Sequence, residues 1–136
     1  MASKFTVVLG AGSWGTALAI ALARNGHQVY LWDINTDLIN ALNRDRVNER
    51  YIPSVNLPHN LLPIKRLEEL PTGIQMVINA VPCHGLRSSL QLLKSFAGIK
   101  LCLACKGFEP GTQKFNHEVV KEELGCPAAI LSGPSF

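Results

Sequence analysis

Val7-Val8-Leu9-Gly10-Ala11-Gly12-Ser13-Trp14-Gly15-Thr16-Ala17-Leu18-Ala19 is the stretch that decides the fold. An apolar, β-branched run leads into three glycines, Gly10, Gly12 and Gly15, spaced G-x-G-x-x-G, and an Ala/Leu-rich helical pattern follows at once. That order of strand, turn and helix is the context a dinucleotide-binding turn requires. Gly10 permits the tight turn, Gly12 lets backbone N–H groups approach a pyrophosphate, and Gly15 lets helix and strand pack closely. The first turn of the helix offers unpaired N–H groups and the positive end of its dipole to the phosphates.

Outward from this turn, Phe5–Leu9 reads as the first strand. The first helix runs from Ser13 or Trp14 to about Asn25, closed by Gly26. Gln28 to Asp33 reads as the second strand, with Asp33 at its end. A carboxylate there can accept the ribose hydroxyls of an adenosine and disfavours a 2′-phosphate. The other reading is that Asp33 opens a turn or helps to cap the helix that starts near Asn35 or Thr36. That helix extends to about Asn43 or Arg46. The proline-containing stretch 47–63 lacks sustained periodicity and reads as a surface loop, with a short third strand near Leu61–Ile64. Within it Tyr51 either lies against a cofactor or anchors the loop to the core.

Met76 to Val81 is a buried strand that returns beside the first, ending at Pro82, Cys83 and His84. His84 is either a contact in the crevice or a solvated residue of a helix's first turn. Leu86, Leu90, Leu93 and Phe96 continue as an amphipathic helix ended by Gly98. Leu101–Ala104 forms a fifth strand, Thr112–Leu124 a helix, and Ala128–Leu131 a sixth short strand. Lys106, after strand five, either engages phosphate or polarises a carbonyl in the crevice, or is a solvent-facing loop lysine. The closing Ser132-Gly133-Pro134-Ser135-Phe136 can present N–H and hydroxyl donors to an anion. The expected architecture is therefore α/β, a Rossmann-type doubly wound and mainly parallel sheet of six strands and about five helices.

Composition agrees with one domain. The chain has 136 residues, 47% of them hydrophobic, and a net charge of +3. The charge is dispersed, which suits small anions but provides no basic stripe for nucleic acid. No apolar run reaches membrane-spanning length, and the N-terminus lacks a signal-peptide layout, so a cytoplasmic location is expected. The four cysteines read as free thiols. Cys102 and Cys105 have C-x-x-C spacing on an apparent strand, which points them to opposite faces, and no second ligand pair for zinc is present, so no metal site is expected.

Taken together, these segments resemble the N-terminal part of a bacterial-type NAD(P)-dependent glycerol-3-phosphate dehydrogenase. The resemblance rests on Gly10 to Ala19, Leu31-Trp32, Tyr51-Ile52-Pro53, Ala80-Val81-Pro82, Cys105-Lys106-Gly107-Phe108-Glu109 and Ser132 to Phe136. It implies that Gly10, Gly12, Ser13, Trp14, Gly15 and Tyr51 form the cofactor side. Lys106 would stand between nicotinamide and substrate, and Gly133 with Ser135 would help to bind sn-glycerol 3-phosphate or dihydroxyacetone phosphate. The implied chemistry is hydride transfer between the nicotinamide cofactor, NAD or NADP, and the triose in glycerophospholipid synthesis. Many members carry a histidine or arginine after the second strand, where this chain has Asp33, so NAD is the expected preference. The resemblance also places the proton-transfer lysine in a C-terminal helical domain beyond Phe136. Residues 1–136 are thus expected to be the cofactor-binding domain, without a catalytic residue of their own and inactive in isolation, with a homodimer among the open arrangements. The alternative is a stand-alone NAD(H)-binding or redox-sensing module without catalysis.

Overall fold

The computed structural model describes residues 4–105 and 107–132. Its strands are β1 (Phe5–Leu9), β2 (Val29–Trp32), β3 (Val47–Asn48), β4 (Ile52–Asn56), β5 (Leu61–Ile64), β6 (Ile74–Asn79), β7 (Lys100–Leu103) and β8 (Ala128–Ile130). Its helices are α1 (Ser13–Arg24), α2 (Thr36–Asp45), α3 (Cys83–Gln91) and α4 (Asn116–Leu124), with a single 3-10 turn at Leu67–Glu69. Six strands form one sheet in the order β5-β2-β1-β6-β7-β8, and every pairing in it is parallel. This is the doubly wound order, in which the chain builds outward from β1 in one direction and then in the other.

β1 is buried along its whole length and divides the core. Phe5, Val7 and Leu9 pack with Leu86 and Leu90 of α3 and with Val119 and Val120 of α4. Val8 faces the opposite side, with Ala19, Ile20 and Ala23 of α1 and Ile39 and Leu42 of α2. Alternation along the strand therefore assigns two helices to each face. The cysteines follow the same rule: Cys102 packs in one cluster and Cys105 in the other, and none of the four is in a disulfide.

Three sequence expectations need correction. The stretch expected as a loop contains an antiparallel hairpin of β3 and β4, with Ser54 at a φ of 65° and a register shift in place of clean alternation. The expected edge strand is present as β5, where Pro63 is tolerated because no further strand needs its missing N–H. α4 starts at Asn116 rather than Thr112, because Gly111 and Gln113 have positive φ and the Glu118 carboxylate accepts the Phe115 N–H at 3.1 Å. α3 ends at Gln91. The segment expected to continue it tightens instead into i to i+3 bonds, Leu92 to Ser89, Leu93 to Leu90 and Phe96 to Leu93. The described residues hold four α-helices and one 3-10 turn.

A charge cluster ties α3 to α4. Arg87 donates to both carboxylate oxygens of Glu109 at 2.8 Å, to Glu123 at 2.9 Å and to Glu122 at 2.8 Å. Thr112 also donates to Glu109 at 2.6 Å, while Lys94 pairs with Glu123 and Lys114 with Glu122. The Arg87 guanidinium, assisted by the Thr112 hydroxyl, holds the Glu109 carboxyl down at about 2. Its folded value lies below the ordinary unfolded value of about 4.3, so its stabilisation is complete above that pH and is lost as pH falls through about 2. Arg87→Met is expected to lower the melting temperature at pH 7, and the gap from wild type should close on acidification towards pH 2. A gap that stays constant across that titration would contradict the assignment.

Candidate functional site

The carboxyl ends of β1, β2, β6 and β7 meet where the winding direction reverses, between β1 and β6. In open parallel sheets this crevice is where ligands bind. The glycine turn leaves β1 there. The Gly10 N–H donates to the Trp32 carbonyl at 2.7 Å, and the Ala80 N–H donates to the Leu9 carbonyl at 2.7 Å, so the turn is stitched to both neighbouring strands.

The three glycines have different surroundings. Gly10 has a φ of +103°, and a Cβ on it would stand 2.9 Å from the backbone of Ala80. A Cβ on Gly15 would fall 1.8 Å from the Gly10 carbonyl oxygen, well inside contact. Both are demanded by the protein itself. Gly12 differs: its φ of −76° and ψ of −166° are open to any residue, and a Cβ there would meet nothing within 4 Å. Nothing in the described fold requires glycine at position 12. What an added side chain would occupy is the open space in front of α1.

The Ala11 peptide is held from two sides. Its N–H donates to Asp33 Oδ2 at 2.7 Å, and its carbonyl accepts from Asn48 Nδ2 at 3.0 Å. Asn48 is 1% exposed and also donates to Thr16 Oγ1 at 2.9 Å; its own Oδ1 has no partner among the described residues. The orientation of the turn is thus set before any ligand arrives. Asp33 performs the turn-forming role as well, since its Oδ1 accepts the Asn35 N–H at 2.8 Å, and Asn35 in turn caps α2 through the Leu38 N–H at 3.1 Å. A carboxylate has about four acceptor sites, so these two bonds leave lone pairs for hydroxyl donors.

α1 has no side-chain cap and no acid in its first turn, whereas α2 has both Asn35 and Asp37. The positive end of α1 therefore faces the crevice without internal compensation. Ser13 Oγ donates to the Tyr51 carbonyl at 3.4 Å, which brings the β3–β4 hairpin up to the glycine turn. Trp14 is 45% exposed and Tyr51 37% exposed, with the Arg50 guanidinium 5.3 Å above the Tyr51 ring. Gly10, Gly12, Ser13, Trp14, Gly15, Asp33 and Tyr51 are thus assembled around one turn. His84 is exposed in the first turn of α3.

On the far side of the crevice, Asn79 ends β6 and is fully buried. It donates to Ser89 Oγ at 2.8 Å and accepts the Val81 N–H at 3.2 Å, fixing the strand end against α3. Beyond β7 and β8 lies a cavity of about 290 Å³ lined in part by Cys105, Gly107, Asn116 and Ser132. Asn116 donates to the Cys105 carbonyl at 3.3 Å and buries an Oδ1 without a partner among the described residues. Lys106, Gly133 and Ser135, expected on this side, lie outside the described residues.

Asn48, Asn79 and Asn116 were not singled out by sequence reasoning. Asn79 carried a legible signal, a polar residue inside the apolar run Met76 to Val81. Asn48 and Asn116 sit in stretches where an asparagine is unremarked.

Residues 6–136 match the family model described as NAD-dependent glycerol-3-phosphate dehydrogenase N-terminus. Among curated relatives, the chain is 41% identical over 133 residues to glycerol-3-phosphate dehydrogenase [NAD(P)+] of Xanthomonas campestris pv. campestris, covering 95% of this chain and 39% of the relative. It is 44% identical over 139 residues to the protein of that name from Geobacillus kaustophilus, covering 94% and 39%. Among solved structures, glycerol-3-phosphate dehydrogenase from Coxiella burnetii superposes with a TM-score of 0.89 at 36% identity, over 98% of this chain and 42% of that one. The chain therefore spans about two fifths of the length of the proteins it matches.

Proposed function

The chain belongs to the NAD-dependent glycerol-3-phosphate dehydrogenase family through its N-terminal part, and from that premise we propose that it is the dinucleotide-binding half of such an enzyme. The observation that carries this reading is Gly12, a glycine that the described fold does not need and that leaves room where a pyrophosphate would lie. The uncapped end of α1 and the pre-set Ala11 peptide suit a bridging anion. Trp14 and Tyr51 flank the turn and offer apolar surface to the dinucleotide, and Ser13 a hydroxyl. Asp33 would accept the adenosine ribose hydroxyls with its remaining lone pairs.

Such a cofactor supplies a hydride at nicotinamide C4. In the longer protein, Lys106 would face substrate between the nicotinamide end and the triose, with Gly133 and Ser135 contributing to binding of dihydroxyacetone phosphate or sn-glycerol 3-phosphate. The chain's own task is positioning, since hydride transfer depends on holding the two carbons in contact. Proton transfer needs a group from the remainder of the longer protein, so residues 1–136 alone should show no turnover. None of the four cysteines is in a disulfide and none of the described helices is long and apolar enough to cross a membrane; the location belonging to this proposal is cytoplasmic.

Cofactor preference follows from Asp33. With its carboxylate at the end of β2 and already fixed by the Ala11 and Asn35 N–H groups, a 2′-phosphate would meet like charge. Calorimetric titration should give NADH binding at least tenfold tighter than NADPH, about 1.4 kcal/mol, and Asp33→Ala should narrow that gap. Tighter binding of NADPH by the wild-type chain would overturn the assignment of Asp33.

A further inference from the structure

Two thiols meet at the mouth of the crevice on the side away from the glycine turn. Cys83 is the first residue of α3, directly after the loop that leaves β6. Cys105 follows the end of β7, the neighbouring parallel strand, where the pairing of Asn79 with Leu103 carries the two chain segments side by side. Adjacent strands run about 4.8 Å apart, and the Cys83 thiol is near enough to Cys105 to act on it electrostatically. The Cys83 sulfur also lies against Gly107, 3.5 Å from where a Cβ on that residue would stand. Both thiols are partly exposed, unlike core cysteines sealed from reagents.

We propose that Cys83 and Cys105 are a redox-modifiable pair, oxidised by a hydroperoxide to an intramolecular disulfide that ties the first turn of α3 to the loop after β7. Cys83 is the attacking sulfur. It is the first residue of α3 at the mouth of the crevice, whereas burial, with the neighbouring Cys83 thiol, pushes Cys105 up to about 11. The Cys83 thiolate attacks the terminal peroxide oxygen, the O–O bond breaks, and the peroxide leaves as an alcohol or water, giving a sulfenic acid on Cys83. The Cys105 sulfur then attacks the Cys83 sulfur. The S–O bond breaks, water departs with the Cys105 proton, and the disulfide forms. In total the two thiols lose two electrons and two protons, and the peroxide is reduced. A dithiol reductant reverses the bond by thiol–disulfide exchange. Cys102 faces the other side of the sheet and takes no part.

The test is peptide mapping of the reduced chain after treatment with hydrogen peroxide. Trypsin cuts after Arg87, Lys94 and Lys100, separating Cys83 from Cys105, and a Cys102→Ser background removes the other cysteine of the Cys105 peptide. The expected result is one cross-link joining the Cys83 and Cys105 peptides, a loss of two hydrogens in mass, and full reversal by dithiothreitol. Cys83→Ser and Cys105→Ser should each abolish it, and Cys126→Ser should leave it intact. Should either serine variant fail to fold, the wild-type map still decides. A cross-link to Cys126, no cross-link after peroxide treatment, or Cys83 advancing to sulfinic acid beside a still reduced Cys105 would overturn the proposal. None of these outcomes depends on dinucleotide binding.

Discussion

Gly15→Ala should cost about 3 kcal/mol or more in stability, lowering the melting temperature by roughly 10 °C for a domain of this size. The added Cβ would sit 1.8 Å from the Gly10 carbonyl oxygen and 2.9 Å from its carbon. Both are backbone atoms, so no rotamer change relieves the contact. Neither partner can retreat easily. The Gly10 N–H is bonded to the Trp32 carbonyl and the preceding Leu9 carbonyl to the Ala80 N–H, while α1 is anchored on the sheet through buried Ala19, Ile20 and Ala23. The helix must lift or the turn must break its bonds to β2 and β6. Differential scanning calorimetry reads the result, and a melting temperature within a degree or two of wild type would mean that helix and strand do not approach as described.

Gly12→Ala makes the opposite case, with a large effect on ligand and a small one on the fold. Its backbone lies in an extended region that alanine adopts freely, and its Cβ would find open space. Two small terms compete. Alanine is a poorer N-cap than glycine, but it also restricts the unfolded chain, so the net change in stability should stay within about 1 kcal/mol. NADH affinity should nevertheless fall at least tenfold, about 1.4 kcal/mol, because the methyl group enters the volume assigned to the pyrophosphate. The pairing of an unchanged melt with lost binding separates a ligand-facing glycine from the two that serve packing.

The doubly wound character of the sheet was legible because the apolar runs of β1, β2, β6 and β7 are each followed by a stretch of helical periodicity. Parallel pairing and the reversal at β6 follow from that alternation. The hairpin was not legible. Val47-Asn48 is too short for a period, and Pro53 with the positive φ of Ser54 interrupts β4, so nothing local marks either strand. The start of α4 was misplaced for a related reason: Thr112 and Gln113 look like helix-initiating residues, yet Gln113 adopts a φ of 62° and the capping bond belongs to Glu118 and Phe115.

In the site, the glycine spacing in its strand–turn–helix context marked the glycine turn, and the place at the end of the second strand marked Asp33. The partners that hold them came from far along the chain. Asn48 reaches Ala11 and Thr16, and Arg87 reaches Glu109, Glu122 and Glu123. Such pairings depend on tertiary closure, which no local pattern encodes. Asp33 fills the turn-opening reading, since its carboxylate accepts the Asn35 N–H, while its bond to the Ala11 N–H was not anticipated; the two together do not exhaust its acceptors.

The central claim, that the turn after β1 seats a dinucleotide pyrophosphate, is tested most directly by titrating NADH into wild type and Gly12→Ala side by side in the calorimeter, with melting curves of both. The account predicts saturable one-to-one binding by wild type, at least tenfold weaker binding by the variant, and melting temperatures that agree within a few degrees. Equal affinity for the two proteins would place the ligand elsewhere and contradict it.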